Sequence, residues 1–291
     1  MKPTGNFHRL FFKKVGPLII LSFFMSGAVE SRESLVSLKI SVIDIDSGKP
    51  TPARLEVRGS DGQYYVAKDA VPISGDCTMS NFPKALIDKV ASVEFADRLG
   101  FRNPYTKTVQ FYSSGESLLE VPLGQTIIKV YKGPEYKVGR TDIDLIAAPQ
   151  KNVIVHLERW INMPKRGWYS GDDHLHIARP TPDFNSIVSK MMQAEDIHVA
   201  NLLQMGKVED FTIAKQYAHG PDSYYQEGNH LLVAGQENPR THFLGHTITL
   251  GAKQAHFDAD NYLIYRSLWE KTEKEGAING FAHAVFPYGS F

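Results

Sequence analysis

Two histidines separated by one residue, His174 and His176, are the side chains of this sequence best suited to hold a metal ion. Residues i and i+2 of a β-strand point to the same face and lie roughly 6.6 Å apart along the backbone, so both imidazoles can reach one cation. Nine of the eleven histidines lie between His174 and His283, and an acidic residue, Glu237, ends another strand-like run. We therefore expect a metal site in the second half of the chain.

The elements that must position these residues begin after a stretch of a different kind. Arg9, Lys13 and Lys14 precede an apolar run over residues 15–25, which small residues follow. This run is too short for a membrane span, which needs around twenty apolar residues. We predict a signal peptide over residues 1–28, export to the periplasm or the cell exterior, and no membrane span after cleavage. An uncleaved anchor or a buried helix is the alternative.

Composition limits the partners of the chain. The 291 residues contain 32 basic and 32 acidic side chains and have no net charge, so no bulk electrostatic attraction draws the protein to nucleic acid. We expect no nucleic-acid partner. Cys77 is the only cysteine, which excludes an internal disulfide. The sequence does not indicate an oligomeric state.

Residues 35–160 have the alternating apolar pattern of β-strands, with turn residues between the runs. The clearest runs cover residues 38–44, 53–57, 117–121, 126–131 and 153–158. Short strands separated by Gly, Pro, Asp and Ser turns are typical of a β-sandwich. Residues 161–167, which include Pro164, are the predicted linker to a second domain.

After the linker the pattern alternates between strands and helices. We predict helices over residues 181–192, 209–219 and 260–275, and strands over residues 198–203, 231–237, 243–250 and 276–283. This alternation indicates parallel strands with crossover helices, hence an α/β barrel or a layered sheet. Functional residues collect at the carboxyl ends of such strands, which is where His176, Glu237 and His283 fall.

Four motifs together resemble the polymerase-and-histidinol-phosphatase (PHP) superfamily, and within it the carbaryl-hydrolase-like CehA/McbA metallohydrolases. They are Gly171-Asp172-Asp173-His174-Leu175-His176, Gly235-Gln236-Glu237, Gly245-His246-Thr247 and Gly280-Phe281-Ala282-His283. The resemblance implies a transthyretin-like or carboxypeptidase-regulatory-like β-sandwich followed by an α/β domain, a partial (β/α) PHP-type barrel over residues 168–291.

The resemblance also implies the residues of the site. The metal ligands would be His174, His176, Glu237, His246 and His283, holding two or three divalent ions, with zinc, manganese and iron not distinguished. Asp172 would orient an imidazole from behind the ligands. His246, or a metal-bound hydroxide, would act on the leaving group of a small-molecule substrate.

Two departures from the family pattern bear on this reading. The second-strand motif of the superfamily falls on Asn201-Leu202-Leu203, which offers no strong ligand. The closing Asp-x-His motif, which follows the fourth-motif histidine in the superfamily, does not occur in the eight residues after His283. A complete barrel takes around 250 residues, about twice the length of the second domain. We therefore expect an incomplete barrel in a chain truncated at its carboxyl end.

These features favour an exported metal-dependent hydrolase that directs metal-activated water at a small ester, carbamate, amide or phosphoester. The sequence contains no Gly-x-Ser-x-Gly elbow and no phosphate-binding glycine loop. The alternative is a non-catalytic secreted binding or structural protein with a degenerate PHP-like metal site, which Asn201-Leu202-Leu203 favours. A nuclease or polymerase-associated phosphatase of the same superfamily is disfavoured by the signal peptide and the neutral charge.

Overall fold

A computed structural model of the protein describes residues 35–73, 94–96, 99–103, 105–208, 211–241 and 243–283. The predicted signal peptide and Cys77 lie outside these ranges. Neither α-helix in the described ranges has the length and the apolar character that crossing a bilayer requires.

Ten strands make up the first half of the described chain. They are β1 (Leu35–Asp44), β2 (Ala53–Arg58), β3 (Tyr64–Tyr65), β4 (Glu94–Ala96), β5 (Gly100–Arg102), β6 (Val109–Ser113), β7 (Glu116–Pro122), β8 (Gly124–Tyr131), β9 (Gly139–Leu145) and β10 (Gln150–Leu157). One sheet has the order β10-β1-β7, and the other has the order β4-β5-β6-β2-β8-β9 with β3 on β2. All pairs are antiparallel except β1 with β10.

The two sheets share one apolar core because their strands bury every second side chain. The four alternate apolar residues of β1 are at most 1% exposed, and they pack with side chains of β2, β6 and β8: Val36, Leu38, Ile40, Val42, Leu55, Phe111 and Ile128. The predicted β-sandwich fits this arrangement. The predicted domain boundaries at residues 160 and 168 stay predictions.

The second half is built around a seven-stranded sheet. Its elements are β11 (Gly171–Leu175), α1 (Phe184–Ala194), β12 (Val199–Val208), β13 (Phe211–Ile213), β14 (Tyr225–Glu227), β15 (His230–Thr241), β16 (Gly245–Leu250), α2 (Tyr265–Glu273) and β17 (Ile278–Ala282). Short 3-10 helices cover Pro164–Arg166 and Gly220–Ser223. The strand order is β11-β12-β15-β16-β17, with β13 paired to β12 and β14 paired to β15.

Helix α1 covers one face of this sheet. Its apolar residues Val188, Met191 and Met192 are buried and belong to the same cluster as Leu202 and Leu232 of the sheet. The predicted apolar spacing is therefore used for packing, as expected of an amphipathic helix. The helix begins at Phe184 rather than at the predicted Thr181 to Pro182 start.

The predicted partial (β/α) barrel is wrong. Strands β11, β12 and β15 are parallel, but β16 and β17 each run antiparallel to the strand before them. Within the described ranges, only the β11-to-β12 connection joins parallel strands through an α-helix. The second predicted helix falls on a segment whose backbone pairs with β12 instead, with Ile213 opposite Met205. The described chain is thus sheet with two short α-helices.

Candidate metal centre

Strand direction brings the predicted ligands to one edge of the second sheet. His176 follows the carboxyl end of β11, and Glu237 lies in the carboxyl half of the parallel strand β15. Because β16 runs back from β15, its second residue, His246, starts at the same edge. Strand β17 reverses direction again, so His283 emerges at that edge directly after its last residue.

The first of two ligand groups contains His174, His176 and Glu237. The Nε2 atoms of the two histidines are 3.1 Å apart. Glu237 Oε2 lies 2.9 Å from His176 Nε2 and 3.4 Å from His174 Nε2. These three atoms form a nearly equilateral triangle.

The second group uses the other oxygen of the same carboxylate. Glu237 Oε1 lies 2.6 Å from His246 Nδ1 and 3.9 Å from His283 Nε2. The His283 ring stacks on the His174 ring with centroids 4.9 Å apart, which joins the two groups into one cluster. Glu237 therefore bridges two sets of imidazoles, and we call the five residues together the histidine cluster.

Backbone contacts orient the His-x-His pair. His176 Nδ1 lies 3.0 Å from the carbonyl oxygen of Leu203, which can only accept, so Nδ1 carries a proton and Nε2, which faces Glu237, is the nitrogen available to a metal. This is the arrangement by which metal-binding histidines are held in one tautomer. Asp172 Oδ1 accepts the backbone N–H of His174 at 3.0 Å, so this carboxylate fixes the backbone of β11 rather than an imidazole.

Glu237 is 1% exposed, and its surroundings decide its charge. Burial by itself raises the pKa of the carboxyl, but hydrogen bonds from His174, His176 and His246 outweigh burial and hold the pKa far below its usual range. The same bond to Glu237 raises the pKa of His174. Burial lowers the pKa of His283. The cluster therefore holds a buried, ionised carboxylate at neutral pH.

The donor set and its spacing fit a transition-metal ion. Ligand atoms of a tetrahedral site with bonds of about 2.05 Å lie about 3.3 Å apart, and the first group has edges of 2.9, 3.1 and 3.4 Å. Four imidazoles and one carboxylate are ligands that zinc and ferrous ions accept readily. The residues present therefore fit the metal that the sequence predicts, and metal binding itself stays a prediction.

Two contacts of the cluster were missed from the sequence. The contact of His176 with the Leu203 carbonyl involves the backbone, so the type of residue at position 203 could not predict it. Arg240 Nε lies 4.0 Å from Glu237 Oε2, and its position three residues after the glutamate was the available signal. Arg240 adds a positive charge beside the carboxylate.

Comparison with known proteins gives no family for the chain. No family model and no curated protein matches it. Solved structures with some likeness include the shaft pilin SpaA from Lactobacillus rhamnosus GG, at 14% identity, and the minor pilin GBS52 from Streptococcus agalactiae, at 15% identity. Their TM-scores are 0.25 and 0.27, and the matches cover 43% and 44% of this chain and 46% and 45% of the pilins. The chain thus spans less than half of each pilin, and scores of this size assign it no function.

These findings and the fold correct several predictions. No family model and no curated protein matches the chain, and the second half is a mixed sheet instead of a barrel. The predicted superfamily and the predicted metal-dependent hydrolase are therefore wrong, and the catalytic role of His246 stays a prediction. The findings are consistent with an exported protein and do not distinguish the periplasm from the cell exterior.

Proposed function

We propose that this protein is a non-catalytic, exported metal-binding protein whose histidine cluster holds one or two divalent cations. The observation that supports this most directly is the triangle of His174 Nε2, His176 Nε2 and Glu237 Oε2, whose edges are those of a coordination polyhedron. Export to the periplasm or the cell exterior rests on the signal-peptide pattern of residues 1–28.

The bridging position of Glu237 sets the number of ions that the cluster can take. Each oxygen of this carboxylate faces two histidines, so the two groups offer one three-ligand site each. A buried carboxylate is costly unless it is paired, and either imidazole protons or a cation can supply the pairing. Metal binding releases those protons, because an imidazole must be deprotonated to donate its lone pair.

Strand β12, which lies between the strand of the His-x-His pair and the strand of Glu237, supports a binding role rather than a catalytic one. Leu202 and Leu203 of β12 are fully buried in the sheet between β11 and β15, and no side chain of this pair can reach a metal. Asn201, which precedes these leucines, has only a neutral amide side chain, which is a weak metal ligand. None of the three residues therefore adds a strong ligand to the cluster.

Metal content of the purified protein tests the proposal. We expect elemental analysis of the chain, purified without chelator, to find one or two equivalents of a transition metal, with zinc or iron favoured over magnesium and calcium by the imidazole ligands. The double variant His176→Ala with Glu237→Gln should retain almost none. His156→Ala is the matched control, since it removes an exposed histidine from β10.

Two results contradict the proposal. One is a metal-free protein that also shows no heat of binding when zinc is titrated into it after chelator treatment. The other is equal metal content in the double variant and in the His156→Ala control, which would place the metal elsewhere.

A further inference from the structure

A second polar cleft lies apart from the histidine cluster, where the loops of the sandwich meet the end of α1. Its volume is about 670 Å³, inside the range of roughly 300–1,000 Å³ that is usual for small-molecule sites. None of the five cluster residues lines this cleft. Its walls include Lys132, Tyr136 and Arg159 from the first half of the chain, and Tyr169, His198 and His230 from the second.

The two histidines of the cleft are held as neutral hydrogen-bond acceptors. His230 Nδ1 lies 2.7 Å from the carbonyl oxygen of Ile197, which only accepts, so this nitrogen carries the proton. His198 Nδ1 lies 2.8 Å from Ser170 Oγ, whose own proton goes to the carbonyl of Asp196. Ser170 must therefore accept from His198 Nδ1. In both rings Nε2 keeps its lone pair, and it hydrogen-bonds to no described residue.

These histidines do not form a metal site. Their rings are stacked with centroids 4.9 Å apart and planes 7° from parallel. An ion bound by both rings would have to lie in both ring planes, and stacked parallel planes share no such point. Burial lowers the pKa of both rings, which agrees with neutral imidazoles. The pair therefore offers two separate acceptors.

The charged groups deepest in the cleft are neutralised within the protein. Arg159 donates to Glu135 and to Asp196, the latter at 2.8 Å, and both carboxylates are largely buried. Asp44 accepts the Tyr136 hydroxyl at 2.7 Å. The walls also carry Asp46 and Lys165, which pair at 3.7 Å, and the exposed Lys49, so charges of both signs are present and neither sign dominates.

Lys132 is held by neutral groups instead. Its Nζ donates to the backbone carbonyls of Pro52, at 2.8 Å, and of Gln193. One N–H of the ammonium group is left over for a ligand oxygen. Asn162 and Asn229 also line the cleft and each offers an amide donor and acceptor. The cleft thus combines neutral acceptors with donors, which suits hydroxyl groups because a hydroxyl both donates and accepts.

Tyr169 supplies an aromatic wall. Its side chain is 55% exposed, and its ring meets His198 edge to face at 5.3 Å. The other tyrosine of the cleft, Tyr136, is already covered, with the guanidinium of Arg159 4.1 Å and Lys132 Nζ 5.7 Å from its ring centroid. Tyr169 is therefore the ring with a face free to pack on the C–H surface of a ligand.

We propose that this cleft binds a neutral carbohydrate of one or two sugar units, whose hydroxyls donate to Nε2 of His198 and His230 and whose ring packs on Tyr169. The site is separate from the metal centre and does not depend on it. It gives the exported protein a ligand of its own.

Calorimetric titration with a panel of neutral sugars tests this proposal: glucose, galactose, mannose, N-acetylglucosamine, lactose, cellobiose and chitobiose. We expect at least one to bind with a millimolar or lower dissociation constant, unchanged by chelator. Tyr169→Ala and His230→Phe should each weaken that binding about fivefold to tenfold, the effect of losing one good contact. Tyr169→Phe, which keeps the ring, should change it less than about twofold.

Trp168→Ala is the matched control, because Trp168 is 70% exposed and adjacent in sequence but does not line the cleft. It should bind as the wild type does. Far-UV circular dichroism checks that each variant is folded, and Tyr169→Ala carries the test if His230→Phe is not. The proposal is overturned if no sugar of the panel binds at millimolar concentration, or if Tyr169→Ala binds as tightly as the Trp168→Ala control.

Discussion

Replacing Glu237 by glutamine removes the one negative charge of the histidine cluster while keeping the shape of the side chain. The carboxylate lies within 2.6–3.9 Å of four imidazole nitrogens, and it is the only residue shared by both ligand groups. An amide has a single oxygen to offer and no charge, so the variant cannot bridge two cations. We expect metal affinity to fall at least 100-fold, the upper end of what loss of a supporting residue costs.

This loss of affinity can be converted into thermal stability. At a free metal concentration of about 100 times the dissociation constant, binding stabilises the wild type by about 2.7 kcal/mol. A 100-fold weaker variant at the same concentration gains only about 0.4 kcal/mol. For a chain of this size, each kcal/mol shifts the unfolding midpoint by about 2–4 °C, so metal should raise the wild-type midpoint by about 5–11 °C and the variant midpoint by about 1–2 °C.

Differential scanning fluorimetry of chelator-treated protein with added zinc measures both shifts. The difference between shifts with and without metal is the relevant quantity, because the substitution also changes the stability of the metal-free protein. Equal metal-induced shifts in wild type and Glu237→Gln would refute the assignment of this carboxylate as a bridging ligand.

Three further predictions concern stability. His219 has a pKa lowered to about 4 by burial and by nearby Arg179. Between about pH 4 and 6.5 the unfolded chain therefore binds more protons than the folded chain, and the free energy of unfolding falls by up to about 3 kcal/mol on acidification. Urea unfolding of His219→Gln should show a weaker dependence of stability on pH. Lys132 has a pKa lowered to about 8 by burial, so stability should rise with pH between about 8 and 10.5, and Lys132→Met should lose that rise in the same assay. Gly133→Ala should lower the free energy of unfolding by more than about 2 kcal/mol, since φ is +49° and the new Cβ would lie 2.5 Å from Asp196 Cβ. Gly48→Ala, at φ +66° in open space, should lower it by only about 1–2 kcal/mol. Thermal unfolding of the two variants measures the difference.

Local patterns predicted individual elements well. The alternating run at residues 38–44 lies in β1, and the apolar spacing of residues 184–192 lies in α1, because burial of one face determines both patterns. The direction of a strand relative to its neighbours, in contrast, produces no pattern of this kind in the sequence. The stretch from Phe243 to His283 reads as strand, helix, strand in either topology, and only the pairing of β16 with both β15 and β17 shows that the strands are antiparallel.

The gathering of the predicted ligands was easier to foresee than their function. His174 and His176 are close by strand geometry alone, and a histidine or glutamate at a strand end reaches the common edge in a parallel or an antiparallel sheet. The motifs that predicted a hydrolase reflect only the presence of these ligands at strand ends. They carry no information on the rest of the fold, in which a pair of buried leucines, Leu202 and Leu203, occupies the strand between the ligands.

The place of Glu237 inside a central strand has a consequence for how this centre can change over evolutionary time. A chain that lost its histidines one after another would be left with a buried carboxylate whose cationic neighbour Arg240 lies 4.0 Å away, too far for a hydrogen bond. That state is less stable than either the intact cluster or a cluster-free chain with an uncharged residue at position 237. Drift through single neutral replacements is therefore blocked unless the acid is exchanged first. We therefore expect related sequences to keep all five side chains of the histidine cluster or to have an uncharged residue at position 237.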